Sequence, residues 1–349
     1  MQSHKSAGHL QSGVQDAKIG VDIHPNGAHV KVAMRRVALI DNPASGQPTA
    51  RRTAIVRDTL AALRAAGVEV DHLLIDGPGS GAALTLEAIR QGCDAVLVCG
   101  GDGTVHEVLQ VLVGTDVALG VVPLGTANAL AANLGLSKSP ARAIKALLAA
   151  TPMQVPVGQI FYCDSEGNER SRYFTVAAGA GADALLMSRL DAGMKRRFGY
   201  AIYLVEAFRI WATDPFPLFR AAFTESRDAT ARVVEISQLL AVRVRSFGGV
   251  VGELAPGATL HNQNLCLLAF KTRSRFRYML FLLALILRQH TFKREVELID
   301  ANSVECYPRT GSAARVFVEA DGEVLGQLPA RIEIASQTLT LLIPPNAQP

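Results

Sequence analysis

Two rhythms of apolar and polar residues divide this chain. In the first half, short apolar runs alternate with stretches of helical spacing. Residues 36–40 form a run rich in β-branched side chains that ends at Asn42-Pro43. Residues 49–66 follow with Ile55, Val56, Leu60 and Leu63 on one side of a helix, and Gly67 stops it. The same alternation predicts strands at 68–75, 94–99 and 117–122, and helices at 82–91, 105–113 and 127–134. Strands alternating with helices predict a parallel sheet with helices on its faces. Ligands of such sheets sit at the carboxyl ends of the strands.

After Thr151-Pro152 the rhythm changes. Short alternating runs at 155–162, 172–178, 221–225, 232–246, 264–271, 296–307 and 315–320 predict a β-sandwich. Helical stretches at 196–211 and 277–289 interrupt it, and the run at 338–343 is expected to return to the first domain. Residues 1–34 are polar, without periodicity or the apolar core of an export signal, and read as a mobile tail. The expected organisation is therefore a tail at 1–34, an α/β domain at 35–151 rejoined by 330–345, and a β-rich domain at 152–329.

Composition narrows the class. A chain of 349 residues exceeds one ordinary core. Its residues are 49% apolar and 19% charged, which leaves apolar surface for a greasy ligand. The net charge of +4 is weak evidence alone, and no nucleic-acid partner is expected. The longest apolar run, 278–287, falls far short of the roughly 20 residues that span a bilayer. Five scattered cysteines without a CxxC pair argue against a disulfide framework or zinc site and for a reducing compartment, the cytoplasm.

The chemistry gathers in glycine-rich turns at predicted strand ends. Gly100-Gly101-Asp102-Gly103-Thr104 closes the third strand, and Pro123-Leu124-Gly125-Thr126-Ala127-Asn128 closes the fourth. Glycines there let backbone N–H groups approach a phosphate without a Cβ in the way. An Asp in such a turn suits Mg²⁺, a hard cation that keeps part of its water. Without its neighbours, the same turn is a strand-to-helix connection with Asp102 as an N-cap.

Together with Asn42-Pro43-Ala44-Ser45-Gly46 after the first strand and Asp321-Gly322-Glu323 near the C-terminus, these turns resemble the catalytic domain of diacylglycerol kinase and sphingosine kinase-like lipid kinases, soluble bacterial members above all. The resemblance runs from Val37 to the C-terminus and includes the glycine-rich stretch 174–183 with its trailing Asp183, and the basic stretch Lys195-Arg196-Arg197-Phe198-Gly199-Tyr200. It implies an NAD kinase-like α/β domain and a β-sandwich that receives a lipid acceptor.

It further implies ATP and Mg²⁺ as cofactors. Asn42, Pro43, Ala44, Ser45, Gly46, Gly101, Asp102, Gly103, Thr104, Val105, His106, Glu107 and Thr126 would hold the nucleotide, with Asp102 toward the metal. Asp321 and Glu323 are candidates for general base, and Asp102 completes the catalytic set. The tripeptide Asp321-Gly322-Glu323 alone reads equally as a β-turn. Departures from the family pattern are Ala129 where relatives carry Asp, His106 where Asn is common, and Ile75 where Thr is usual. Where relatives hold a structural Mg²⁺ on an Asp-Asp-Gly turn, this chain reads His261-Asn262-Gln263-Asn264, so that metal is not expected.

For the acceptor, Lys271, Arg273, Arg275 and Arg277 precede the apolar run 278–287, and Arg288, His290, Lys293 and Arg294 follow it. This pattern fits an interfacial segment on an anionic membrane, and equally a core helix with solvated ends. A lipid at the membrane surface is the expected partner, with peripheral membrane contact; a homodimer is compatible. Competing readings are an NAD kinase, which shares the glycine-Asp turn, and a lipid-binding relative that has lost turnover.

Overall fold

The computed structural model describes residues 34–45, 49–125, 127–190, 201–224, 231–247, 255, 257–286, 296–345 and 347. The tail up to 33, Gly46, Thr126, the basic stretch 195–200, and Arg288, His290, Lys293 and Arg294 lie outside the described residues.

The first half is the expected parallel sheet. Strands β1 (Arg36–Asp41), β2 (Glu69–Leu74), β3 (Ala95–Gly100) and β4 (Ala118–Pro123) pair in the order β4-β3-β1-β2, all parallel. All six residues of β3 and of β4 are buried, which explains their unbroken apolar runs. Helices α1 (Thr49–Ala65), α2 (Ser80–Arg90) and α3 (Asp102–Leu112) join them, and α4 (Ala129–Asn133) follows β4. A further helix, α5 (Pro140–Leu148), was not expected from the spacing, although Ser139-Pro140 is a start signal. It buries Ala143, Ile144 and Leu147.

The second half is a β-sandwich built from β5 (Thr151–Cys163), β6 (Glu169–Phe174), β7 (Ala177–Ala180), β8 (Phe219–Thr224), β9 (Arg232–Ile236), β10 (Gln238–Val242), β11 (Leu265–Phe270), β12 (Val296–Ala301), β13 (Ser303–Pro308), β14 (Phe317–Ala320) and β15 (Glu323–Ile343). Helices α6 (Ala182–Arg189), α7 (Ala201–Thr213) and α8 (Arg275–Ile286) lie between them. Leu239 and Ala241 of β10 face the sandwich interior, while Leu240 and Val242 face the core shared with the parallel sheet. A strand buried on both faces reads as a continuous apolar run.

Three predicted strands are broken. The run 172–178 stops at Thr175 and Val176, whose N–H groups turn to a side chain of another segment. The run 232–246 breaks at the buried Ser237, which bonds the carbonyls of Phe270 and Thr272. The run 296–307 breaks at Asn302, whose N–H donates to the Thr224 carbonyl. At each break the residue bonds a segment far along the chain.

Strand β15 ties the halves together. It pairs antiparallel with β14 and β5, and near its end Leu341 lies beside Leu119 of β4 in parallel register. One hydrogen-bonded network therefore runs from the sandwich into the parallel sheet.

Inside the sandwich, Gly158 of β5 lies opposite the fully buried Phe174 of β6. A Cβ at Gly158 would stand 2.1 Å from the ring. Gly158→Ala is expected to destabilise the protein by about 1–3 kcal/mol, through overpacking against a ring with no room to move. A lowered thermal midpoint checks this; an unchanged one would show that the ring has space.

Candidate active site

The loop after β1 is built around Asn42. Its Nδ2 donates to Thr104 Oγ1 at 2.7 Å, and its Oδ1 accepts the Ala44 N–H at 2.9 Å. Ser45 bonds the Asn42 carbonyl through both its N–H and its hydroxyl. The loop is thereby fastened to the first turn of α3. Pro43 and Ala44 are exposed, so this rim is open to a ligand.

The turn after β3 is held to the turn after β4. Gly101 is the N-cap of α3, and Asp102 is the first helical residue. The Asp102 carboxylate reaches across and accepts the N–H groups of Asn128 at 2.9 Å and Ala129 at 2.8 Å, capping α4. Asn128 takes a left-handed φ of 49°, and its amide pairs with both backbone groups of Gly125. A Cβ on Gly125 would stand 2.7 Å from the Gly101 Cα, so the two glycine turns touch backbone to backbone. Burial raises the Asp102 pKa above its ordinary value, aided by the charge of Asp321 and opposed by the two N–H bonds.

The C-terminal turn meets this pair from the sandwich. Asp321 sits at φ 49° and Gly322 at φ 84° between β14 and β15. The Asp321 carboxylate accepts the N–H groups of Thr175, Val176 and Ala177 at 2.8–3.1 Å, and the Thr175 hydroxyl at 3.3 Å. Its own N–H donates to the Ala177 carbonyl. Glu323, by contrast, is exposed, and its Oε1 stands 2.7 Å from where a Cβ of Gly103 would be. The two motifs, far apart in the chain, therefore meet at the N-terminus of α3, where unpaired backbone N–H groups favour anions.

The other expected nucleotide residues divide. Thr104 is buried and bonded to Asn42. Val105 is part of the core. The Glu107 carboxylate accepts the N–H groups of Gly79 and Gly81 and so caps α2. His106 is buried, with Nδ1 3.7 Å from Asp321 Oδ2 and neither ring nitrogen hydrogen-bonded.

A second carboxyl pair lies beneath the Asp321 turn. Glu319, on β14, is buried, and Asp183, in the first turn of α6, is half-buried with both carboxylate oxygens out of solvent. Glu319 Oε2 accepts the Gly322 N–H at 2.8 Å. Burial pushes the Asp183 carboxyl up to about 7 and raises Glu319 well above its ordinary value, so the pair shares a proton. A Cβ at Gly179 would stand 2.0 Å from Asp183 Oδ2. The buried Tyr278 hydroxyl is raised by burial and by Asp183. Glu319 carries no motif of its own; its signal is a lone acid in the otherwise apolar run before Asp321. Among the described residues, no group of three or more His, Cys, Asp or Glu gathers around a metal position.

Comparison with known proteins adds to this geometry. Residues 36–160 match the diacylglycerol kinase catalytic domain, and residues 175–343 match the YegS C-terminal NAD kinase beta sandwich-like domain. The chain is 28% identical over 313 residues to a diacylglycerol kinase of Mycobacterium tuberculosis, covering 88% of this chain and 95% of that one. A diacylglycerol kinase of Bacillus subtilis is 24% identical, covering 85% and 92%. A probable YegS-like lipid kinase of Chromohalobacter salexigens is 32% identical over 166 residues, 46% of this chain and 50% of that one. A solved diacylglycerol kinase structure from Bacillus anthracis shares the fold, with a TM-score of 0.65 at 19% identity over 91% of this chain and 100% of that one.

The carboxyl pair makes stability depend on pH. The Asp183 pKa rises on folding from 3.8 to about 7, so the folded state holds an extra proton between those values. Its contribution is full at acid pH and is lost as pH rises from about 4 to about 7. Asp183→Asn is expected to remove that slope and to gain on the wild type toward neutral pH, by at most on the order of 4 kcal/mol. Denaturant unfolding of both proteins across the range reads the difference; parallel curves would contradict the shared proton.

Proposed function

Because the chain belongs to the lipid kinases that join a diacylglycerol kinase catalytic domain to a YegS-type C-terminal domain, we propose that it transfers the γ-phosphate of ATP to a hydroxyl of a lipid such as diacylglycerol or a sphingoid base. The observation that carries this reading is the Glu323 carboxylate over Gly103, at the N-terminus of α3. A phosphate cradle and an exposed carboxylate at one point are what phosphoryl transfer to a hydroxyl requires.

The roles follow from which groups are engaged. Asn42 to Gly46 and the turns at Gly101 to Thr104 and Thr126 cradle the nucleotide phosphates. Glu323 takes the proton of the attacking hydroxyl. Asp321, already holding the backbone at 175–177, orients the turn that presents Glu323. Asp102 would hold Mg²⁺: it is half-buried, its pKa is raised by desolvation, and a nearby cation relieves both that desolvation and the charge of Asp321. Mg²⁺ supplies neutralisation of the phosphate charge.

The acceptor side fits a protein working at a cytoplasmic membrane surface. No described helix is long and apolar enough to cross a membrane. On α8, Tyr278 and Phe281 are buried against Phe270, while Phe276 and Leu280 stay exposed. On α7, Leu204, Val205 and Phe208 are exposed. The helices are joined by Trp211 Nε1 donating to the Arg275 carbonyl and by Arg275 Nη1 donating to the Ala212 carbonyl. Apolar side chains beside Arg273, Arg275 and Arg277 suit an anionic lipid surface.

The test is phosphoryl transfer from ATP to diacylglycerol, sphingosine, ceramide or NAD, each presented separately. Label in a lipid supports the reading; label in NAD alone overturns it. Glu323→Gln is expected to lower kcat by roughly 10²–10⁴-fold with the KM for ATP little changed. A change chiefly in ATP affinity would move Glu323 from the proton to the nucleotide.

Membrane contact has its own test. Phe208→Ser with Phe276→Ser should reduce co-sedimentation with anionic vesicles about tenfold or more, because each buried Phe is worth roughly 1.5–3 kcal/mol. High salt should release the wild type. Equal sedimentation of variant and wild type would place the lipid contact elsewhere.

A further inference from the structure

The most unusual buried charge in the molecule is Arg243, just beyond β10. Its residue exposure is 1%, and no carboxylate among the described residues lies within ion-pair distance of it. A buried guanidinium ordinarily faces a carboxylate, because desolvating a lone charge is costly. Here its side-chain partners among the described residues are carbonyl oxygens alone. Nη1 donates to Asn262 at 2.7 Å and to Asn264 at 3.3 Å; Nη2 donates to Leu260 and Pro156, both at 2.9 Å. Burial pushes its pKa down to about 10, and it stays charged at neutral pH.

The turn that carries three of these carbonyls has closing bonds of its own. Asn262 Nδ2 donates to the Gly257 carbonyl, its Oδ1 accepts the Thr259 hydroxyl, and its N–H donates to the Thr259 carbonyl. The turn is thereby closed on itself, with the oxygens of 260, 262 and 264 directed inward. Convergent neutral oxygens of this kind are the donors that hard cations take.

We infer that the carbonyls of Pro156, Leu260, Asn262 and Asn264 form a cation site whose occupant in this chain is its own Arg243 guanidinium rather than a metal ion. The site bears on the turn that holds Asp321. The Arg243 N–H donates to the Val176 carbonyl, and the Val176 N–H donates to Asp321. Filling the cage with a side chain makes this anchor independent of metal supply. The inference does not rest on the identity of the phosphoryl acceptor.

Thermal unfolding of the full chain tests it. The wild type should melt at the same temperature with chelator and with millimolar Mg²⁺ or Ca²⁺, since the cage is full. Arg243→Ala should melt several degrees lower and recover most of the loss in millimolar guanidinium chloride, but not in equal sodium chloride. A metal-dependent rise in the wild type would overturn the inference. So would an Ala variant that melts like the wild type, or one indifferent to guanidinium. Should Arg243→Ala yield no folded protein, Arg243→Lys and Arg243→Met decide. Lys, which keeps a charge, should melt above Met; Met at or above Lys would show that the cage needs no cation.

Discussion

Four hydrogen bonds to one carboxylate hold the site in register. Asp321 draws in the N–H groups of Thr175, Val176 and Ala177 and the Thr175 hydroxyl. Thr175 and Val176 lie between β6 and β7, and the strand breaks there. Charge-assisted bonds are roughly twice as strong as neutral ones. Asp321 is therefore held in a left-handed conformation that an ordinary residue avoids. That conformation sets the path of Gly322 and aims Glu323 at α3.

The same device recurs on the parallel sheet. Asp102 caps α4 from the first turn of α3, and Asn128 is held left-handed beside it. Glu107 caps α2. Carboxylates bonded to backbone amides thus join loops that no strand pairing connects. The result is electrostatically uneven: beyond the effect of burial, the charge of Asp321 raises the pKa of Asp102, and the charges of Asp183 and Asp321 raise that of Glu319.

Much of this was legible beforehand where a motif requires glycine. Gly103 and Gly125 stand where a Cβ would strike the Glu323 carboxylate or the Gly101 backbone, so their positions announce the turns. The parallel sheet was legible because alternation and both-face burial leave a plain pattern. The breaks at Thr175, Ser237 and Asn302 were not, because each depends on a partner far along the chain. Nor was the role of Asp321 as a clamp, or the cage around Arg243. Carbonyl oxygens belong to every residue and leave no trace in side-chain identity. Asn262 shows only a weak metal ligand; nothing in its neighbourhood points back to Arg243.

The central claim is that Asp321 acts as the joint that aligns Glu323 with the phosphate cradle. Amide hydrogen exchange reads that joint directly. In Asp321→Asn, protection at Thr175, Val176 and Ala177 should fall sharply, while amides in the β3 and β4 core keep theirs. Unchanged protection at those three amides would contradict the account, because the carboxylate would then not be what holds the turn.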